Sequence, residues 1–181
     1  MNYEILKVTN IHIRTIDRPI AKVSSLLDTL SSNDDMIWPK EKWPPMRFKD
    51  GLIVGARGGH GPIKYIIEKY NPGEIIEFKF TKPSGFHGIH RFELKTVKTL
   101  ENSDVENEKT EITHVIDMKT TVFGTFIWIF FIRPLHNALL EDALDKVENH
   151  FLATKKKTRW NLWVIFLRKV MKPGKRNHRR P

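Results

Sequence analysis

The chain contains no cysteine in 181 residues. That excludes disulfides, thiolate nucleophiles and any Cys-ligated zinc or iron–sulfur centre, and it fits a reducing, cytoplasmic setting. Acidic residues are absent after residue 153, where 11 of the 31 Lys and Arg reside. The other 20 basic residues face 21 acids, so residues 1–153 carry a net charge of −1 and the overall +10 belongs to the C-terminal segment. A near-neutral body offers no broad basic face, which argues against nucleic acid as a partner. Residues 1–8 lack a basic region followed by an apolar one, so no signal peptide is expected. The longest apolar run, 122–132, stops at Arg133-Pro134, well short of the roughly 20 residues that cross a bilayer, and is read as a buried segment.

Several dedicated motifs are missing as well. There is no Gly-Lys-Ser/Thr phosphate loop, no glycine fingerprint opening a helix, and no Gly-x-Ser-x-Gly elbow. None of the short two-His spacings typical of zinc sites occurs, so neither a metal nor a cofactor is expected. If the chain performs chemistry, acid–base catalysis by histidine is the form left open.

What is present reads as one globular domain, 1–153, with a basic tail, 154–181. Residues 4–15 interleave apolar and polar side chains as a first strand, and 20–30 follow as a short helix behind Asp17-Arg18-Pro19. Residues 63–70 and 74–81 flank the turn Asn71-Pro72-Gly73 as a hairpin. Two more strands, 86–97 and 111–121, are joined by a polar stretch, 98–110, read as a solvated, mobile turn. From 125 to 152 the period becomes helical, with Leu135, Leu139, Ala143, Val147 and Phe151 in line and Leu140 and Leu144 beside them. The order is that of an α+β protein whose antiparallel sheet buries one face against the long C-terminal helix.

The most distinctive stretch is Gly55-Ala56-Arg57-Gly58-Gly59-His60-Gly61-Pro62, preceded by Trp38-Pro39 and Trp43-Pro44-Pro45. Glycines and prolines at this density describe a loop of defined shape. Arg57 is a candidate partner for a ligand anion and His60 for proton exchange at a cavity mouth; equally, the glycines serve a bulge and Arg57 a nearby acid. Trp38 and Trp43 suit either a lid or the cap of a small core.

Strand alternation says which side chains face inward: Phe86, His90, Phe92 and Leu94 on one strand, Ile112, His114, Ile116 and Met118 on the next, and Ile76, Phe78 and Phe80 on the hairpin. His90 and His114 thus enter an apolar interior, either as hydrogen-bonded core histidines or as polar groups of a pocket. On the long helix, Arg133, Asn137 and Glu141 are spaced as a surface network, and His136 lies on the more apolar side, within reach of a cavity.

The element order resembles the START-like (SRPBCC, polyketide cyclase-like) superfamily of helix-grip proteins. More narrowly, Trp38-Pro39, Trp43-Pro44, residues 55–62, His90-Arg91-Phe92-Glu93 and Arg133-Pro134-Leu135-His136-Asn137-Ala138-Leu139-Leu140-Glu141-Asp142 resemble a bacterial subgroup of it. The resemblance covers about residues 3–151 and implies a curved antiparallel sheet wrapped around the helix, with a hydrophobic ligand cavity between them. It implies carriage of a small hydrophobic or lipid-like molecule or, alternatively, a cyclase or dehydratase reaction. Trp38, Trp43, Arg57, His60, Phe78, Phe80, His90, Phe92, His114 and Met118 are the ligand-binding candidates, and His60, His90, His114 and His136 the candidates for catalysis.

The tail lies outside the resemblance. If it is helical, Trp160, Trp163, Val164, Leu167, Val170 and Met171 form one apolar stripe with basic residues at both ends. Such a segment suits an anionic membrane surface through 155–172, which would make the protein peripheral at the inner membrane; a helix packed on the domain and a disordered tail are the alternatives.

Overall fold

The computed structural model describes residues 5–99 and 107–171. Seven strands form a single antiparallel sheet: β1 (Ile5–Ile16), β2 (Arg47–Phe48), β3 (Arg57–His60), β4 (Ile63–Asn71), β5 (Ile75–Lys82), β6 (His87–Thr99) and β7 (Asn107–Thr121). Their spatial order is β1-β7-β6-β5-β4-β3-β2, so β2 to β7 run as a meander and β1 closes onto the last strand. Helix α1 (Ile20–Leu27) follows β1. After β7 the chain enters α2 (Val122–Ile127), a π-helical turn at Trp128–Ile132, and α3 (Arg133–Phe151). A last helix, α4 (Leu162–Met171), ends the described residues. This is a helix-grip fold, a curved antiparallel sheet around a long C-terminal helix.

The alternation read from the sequence holds along β5, β6 and β7. Ile76, Phe78, Phe92, Leu94, Ile112, Ile116 and Met118 are buried, as are His90 and His114. Register shifts in the β4–β5 pairing fall between Lys64 and Tyr65 and between Ile67 and Lys69, where bulges bend the sheet toward α3. Opposite it, α3 buries Leu139, Leu140, Ala143, Leu144 and Val147.

Four expectations are corrected. The α1 helix ends at Leu27 rather than at Leu30, which is buried in the turn that follows, and Pro19 stands at its N-cap position with no side-chain hydrogen bond from Asp17 or any other residue capping it. The glycine-rich stretch is no loop: Arg57–His60 is a strand held between β2 and β4. Gly59 sits at φ +142°, and a Cβ on Gly58 would run into the Arg47 carbonyl and the Phe48 ring, so the glycines let two strands meet closely. The strands of the 98–110 connection extend to Thr99 and from Asn107, and the turn itself lies outside the described residues.

The fourth correction concerns 122–132, which is not buried. Val122 and Phe123 are 55% and 73% exposed, and Phe126, Ile129, Phe130 and Phe131 also face outward; Trp128 turns inward and Ile132 is half-buried against the second core cluster. Arg133-Pro134 does not stop the helix either, because the π-helical turn carries it straight into α3. The resulting Val122–Phe151 helix is long and apolar enough to cross a membrane by length and composition alone. Its second half is nevertheless the helix that the sheet grips.

The basic segment folds back on the domain. Val164 and Leu167 are buried, and Val164 belongs to the same core cluster as α3 and the sheet. The change of composition near residue 153 is therefore no packing boundary among the described residues. Residues 172–181 lie outside them.

Candidate functional site

The apolar core is split. The larger cluster joins α1, the Trp38 and Trp43 segment, β4, β5, α3 and Val164, whereas a second joins Val8, Phe86, Ile116, Met118 and Trp128. Between them lies a cavity of about 400 Å³, walled by Trp38, Trp43, Tyr65, Leu139 and Leu140 from the first cluster and by Phe86, Ile116 and Trp128 from the second. Arg168 and Met171 of α4 complete the wall. Met171 is exposed as well, so the cavity reaches the surface beside α4.

The loop between α1 and β2 is pinned from beneath by Asp35. Its buried carboxylate accepts hydrogen bonds from the backbone N–H groups of Ser31, Ile37 and Trp38 at 2.7–2.9 Å. Burial pushes its pKa up, with those hydrogen bonds opposing. Trp38 Nε1 then donates to the Pro44 carbonyl at 2.8 Å, and Trp43 Nε1 to Asp142 on α3 at 2.8 Å. Both rings are buried cavity walls in a fixed setting.

Four histidines from four elements meet at this cavity: His60 of β3, His90 of β6, His114 of β7 and His136 of α3. They form a file. His60 Nε2 bonds to the Tyr65 hydroxyl at 2.7 Å, and the Tyr65 ring lies 4.3 Å from that of His90. His90 Nδ1 and His114 Nε2 are 3.2 Å apart. The His114 and His136 rings are 5.1 Å apart, and His12 of β1 follows 5.9 Å beyond. His12 ends the file in the carboxylate of Glu141, at 3.0 Å, and the side-chain oxygen of Asn137, at 3.1 Å.

Burial in an apolar interior disfavours the charged imidazolium, and neighbouring histidines add to this. The His60 pKa is lowered to about 4 and that of His136 to about 3. Those of His90 and His114 lie well below the ordinary value. Burial raises the pKa of Tyr65. At neutral pH the four imidazoles are therefore neutral, each with one N–H and one bare nitrogen.

That neutrality has a chemical consequence. His90 Nε2, His114 Nδ1 and His136 Nδ1 are buried without a hydrogen-bond partner among the described residues. Whichever way the proton runs in the bond between His90 and His114, one of their two remaining nitrogens is a donor and the other an acceptor. The site can thus pair with a ligand group of either polarity. Among the described residues no group of three or more His, Asp or Glu is arranged to hold a metal ion.

Several expected site residues lie elsewhere. Arg57 is exposed and does not line the cavity, because an odd spacing along a strand puts it on the opposite face from His60. Phe78, Phe92 and Met118 are core residues outside the wall, and Phe80 lines it. The network drawn on α3 also has other partners. Glu141 pairs with Arg14 at 2.9 Å and bonds His12, Asn137 bonds His12 and Asn10, and Arg133 is exposed without an ion pair among the described residues.

Sequence reasoning missed Tyr65, His12, Phe86 as a wall residue, and Arg168. Alternation of Ile63, Tyr65 and Ile67 on the hairpin was the available signal for Tyr65; on β1 the pattern misleads, because Ile11 and Ile13 face out at 54% and 55% exposure while His12 between them turns inward. Nothing local marks Arg168. It stacks 4.0 Å over Trp43 and 4.6 Å over Trp160 and bonds the Lys42 carbonyl, contacts made across the whole domain.

A sheet gripping a helix over a hollow, histidine-lined core defines a helix-grip protein with a ligand-type cavity. No protein-family model matches the chain, and no curated protein matches it. Among solved structures, it is similar to a protein from Nitrosospira multiformis, with a TM-score of 0.56, 16% identity, and 82% of this chain and 97% of that one covered. Truncated norcoclaurine synthase from Thalictrum flavum gives a TM-score of 0.56 at 12% identity, covering 86% and 99%. A Bacillus cereus protein gives 0.52 at 13%, covering 80% and 96%. Identities this low show a shared fold alone, the Bet v1-like helix-grip fold.

Proposed function

We propose that this protein binds a small, largely apolar molecule carrying one polar group, with the apolar part between the two core clusters and the polar part at the histidine file. The observation that carries the reading is the pairing of a cavity of about 400 Å³ with three buried imidazole nitrogens that have no partner. The volume falls within the roughly 300–1,000 Å³ of small-molecule sites, which are mostly apolar with a few placed polar groups. An unpaired buried nitrogen costs about 1–3 kcal/mol, and a ligand that satisfies it recovers that amount. The tryptophan and glycine motifs support placement in the bacterial START-like subgroup they resemble.

Native mass spectrometry of the protein from its own host, followed by organic extraction, tests this reading. A stoichiometric small molecule with a hydrogen-bonding group supports it. A protein that stays empty against a panel of apolar alcohols, phenols and fatty acids defeats it.

A second reading, histidine acid–base catalysis of a cyclase or dehydratase type, is favoured by the convergence of four histidines and Tyr65 on one space. The likeness to norcoclaurine synthase supports it at the level of fold alone. The two part at His60→Ala. In an enzyme this variant keeps the extracted molecule and loses its conversion; in a carrier no conversion is found in either protein.

A further inference from the structure

Among the described residues seventeen large apolar side chains are exposed, and twelve of them lie on two short segments, Val122–Ile132 and α4. These segments touch. The Phe131 and Trp163 rings are 6.4 Å apart, and Trp163 Nε1 donates to the Phe130 carbonyl at 2.8 Å. That carbonyl is available because Pro134, four residues on, has no N–H to offer it. The π-helical turn and α4 are thus joined at a backbone site that proline leaves open, and the two apolar surfaces become one.

Helix α4 is apolar on two sides. Val164 and Leu167 face the core, whereas Leu162, Trp163, Ile165 and Phe166 face out. Monomeric soluble proteins rarely leave a continuous apolar surface of this kind without an occupant.

Charge selects the occupant. Residues 122–140 and 152–181 contain no acid, while Arg133, Lys157, Arg159 and Lys169 are exposed and make no ion pair among the described residues. A second copy docking through the same face would set these cations against themselves. A surface both apolar and anionic satisfies both features, and that is the interface of a bilayer containing anionic lipid. We infer that Val122–Ile132 and α4 together form a membrane-docking surface, with Phe123, Phe126, Trp163 and Phe166 entering the lipid and Arg133, Lys157, Arg159 and Lys169 meeting the headgroups. The inference extends the tail's amphipathic character to a second, non-basic limb and does not depend on what fills the cavity.

Co-sedimentation of the full chain with vesicles of phosphatidylcholine alone, or with about one quarter phosphatidylglycerol, tests it. The protein is expected to pellet with the anionic vesicles, to be released by salt, and to show a blue shift in tryptophan emission. A Phe123→Asp/Phe126→Asp variant, changed only at exposed positions, is expected to lose roughly tenfold or more in vesicle affinity with its circular dichroism and thermal midpoint retained. An Arg133→Gln/Lys157→Gln/Arg159→Gln variant is expected to lose a similar factor on anionic vesicles alone. The inference is overturned if the wild type stays in the supernatant, or if the Phe123→Asp/Phe126→Asp variant pellets like the wild type. It is also overturned if ultracentrifugation without lipid shows a dimer that this variant abolishes, since a second copy would then be the occupant.

Discussion

His90 Nδ1 and His114 Nε2 share one proton across 3.2 Å inside a wall of aromatic side chains, with neither ring's other nitrogen paired. A hydrogen bond so placed contributes little net stability itself, but removing one partner strands the other. His114→Leu is expected to destabilise the protein by about 1–3 kcal/mol, whereas the double change His90→Leu/His114→Leu costs less than the sum of the single changes. Urea unfolding of the four proteins in the cycle measures this. Additive losses would show that the two rings do not interact.

The lowered histidine pKa values make stability depend on pH in a defined window. An unfolded histidine takes up its proton near pH 6.5, whereas the folded His60 and His136 do so only at about 4 and about 3. Below pH 6.5 the unfolded chain therefore binds more protons than the native one, and stability falls as pH falls. It is fully present above pH 6.5 and lost progressively toward the folded values. Glu41, Glu93 and Glu148, whose pKa values are lowered by lysine and arginine partners or hydrogen bonds, lose their contributions only below the ordinary carboxylate range. From pH 6.5 to about 5 the histidines therefore drive the decline, opposed by Asp35, whose raised pKa makes the native chain take up that proton before the unfolded one does. Denaturant midpoints across this range are expected to decline, and His60→Gln to flatten the slope. A flat wild-type profile would mean that the imidazoles are not buried in the neutral form.

How much of this was legible in the sequence follows from the range of the interactions. Alternation on β5, β6 and β7 is a local property, so the inward placing of His90, His114 and Phe92 could be read residue by residue. The facing of 122–132 could not. Apolar content predicts burial only where a partner surface exists, and here the sheet is already occupied by α3, so all but Trp128 of the aromatic residues in this run are left outside. Arg57 was misplaced because a glycine-rich stretch was read as a loop, in which neighbouring side chains can converge; as a strand it must separate Arg57 from His60. The path from Glu141 to His12 and Arg14 joins residues more than 120 positions apart and left no trace in spacing.

Arg14 holds three carboxylates of α3 at once: Glu148 at 2.6 Å, Glu141 at 2.9 Å and Asp145 at 3.2 Å. Without the guanidinium these acids repel one another along a single helix face. Arg14→Ala is expected to cost about 2–3 kcal/mol in thermal or urea unfolding, somewhat less than for a fully buried pair because the cluster is partly solvated. Adding Glu148→Gln and Asp145→Asn should recover part of the loss. If Arg14→Ala unfolds like the wild type, the cluster is a solvated surface feature.

Asp142 fastens both the tryptophan loop and the basic segment to α3. Its Oδ2 accepts from Trp43 Nε1 at 2.8 Å and Trp160 Nε1 at 2.9 Å, and its Oδ1 pairs with Lys42. An alanine at this position leaves one buried and one half-buried indole N–H without an acceptor, a loss of about 2–4 kcal/mol. The change should also be local: with Trp160 released, α4 loses the anchor nearest its start. Asp142→Ala is therefore expected to open the Lys155-Lys156-Lys157 stretch to trypsin, under native conditions, before the sheet unfolds. Asp142→Asn keeps an acceptor for one indole and should fall between the two. Cleavage no faster than in the wild type would show that the burial of Val164 and Leu167 holds α4 in place without Asp142.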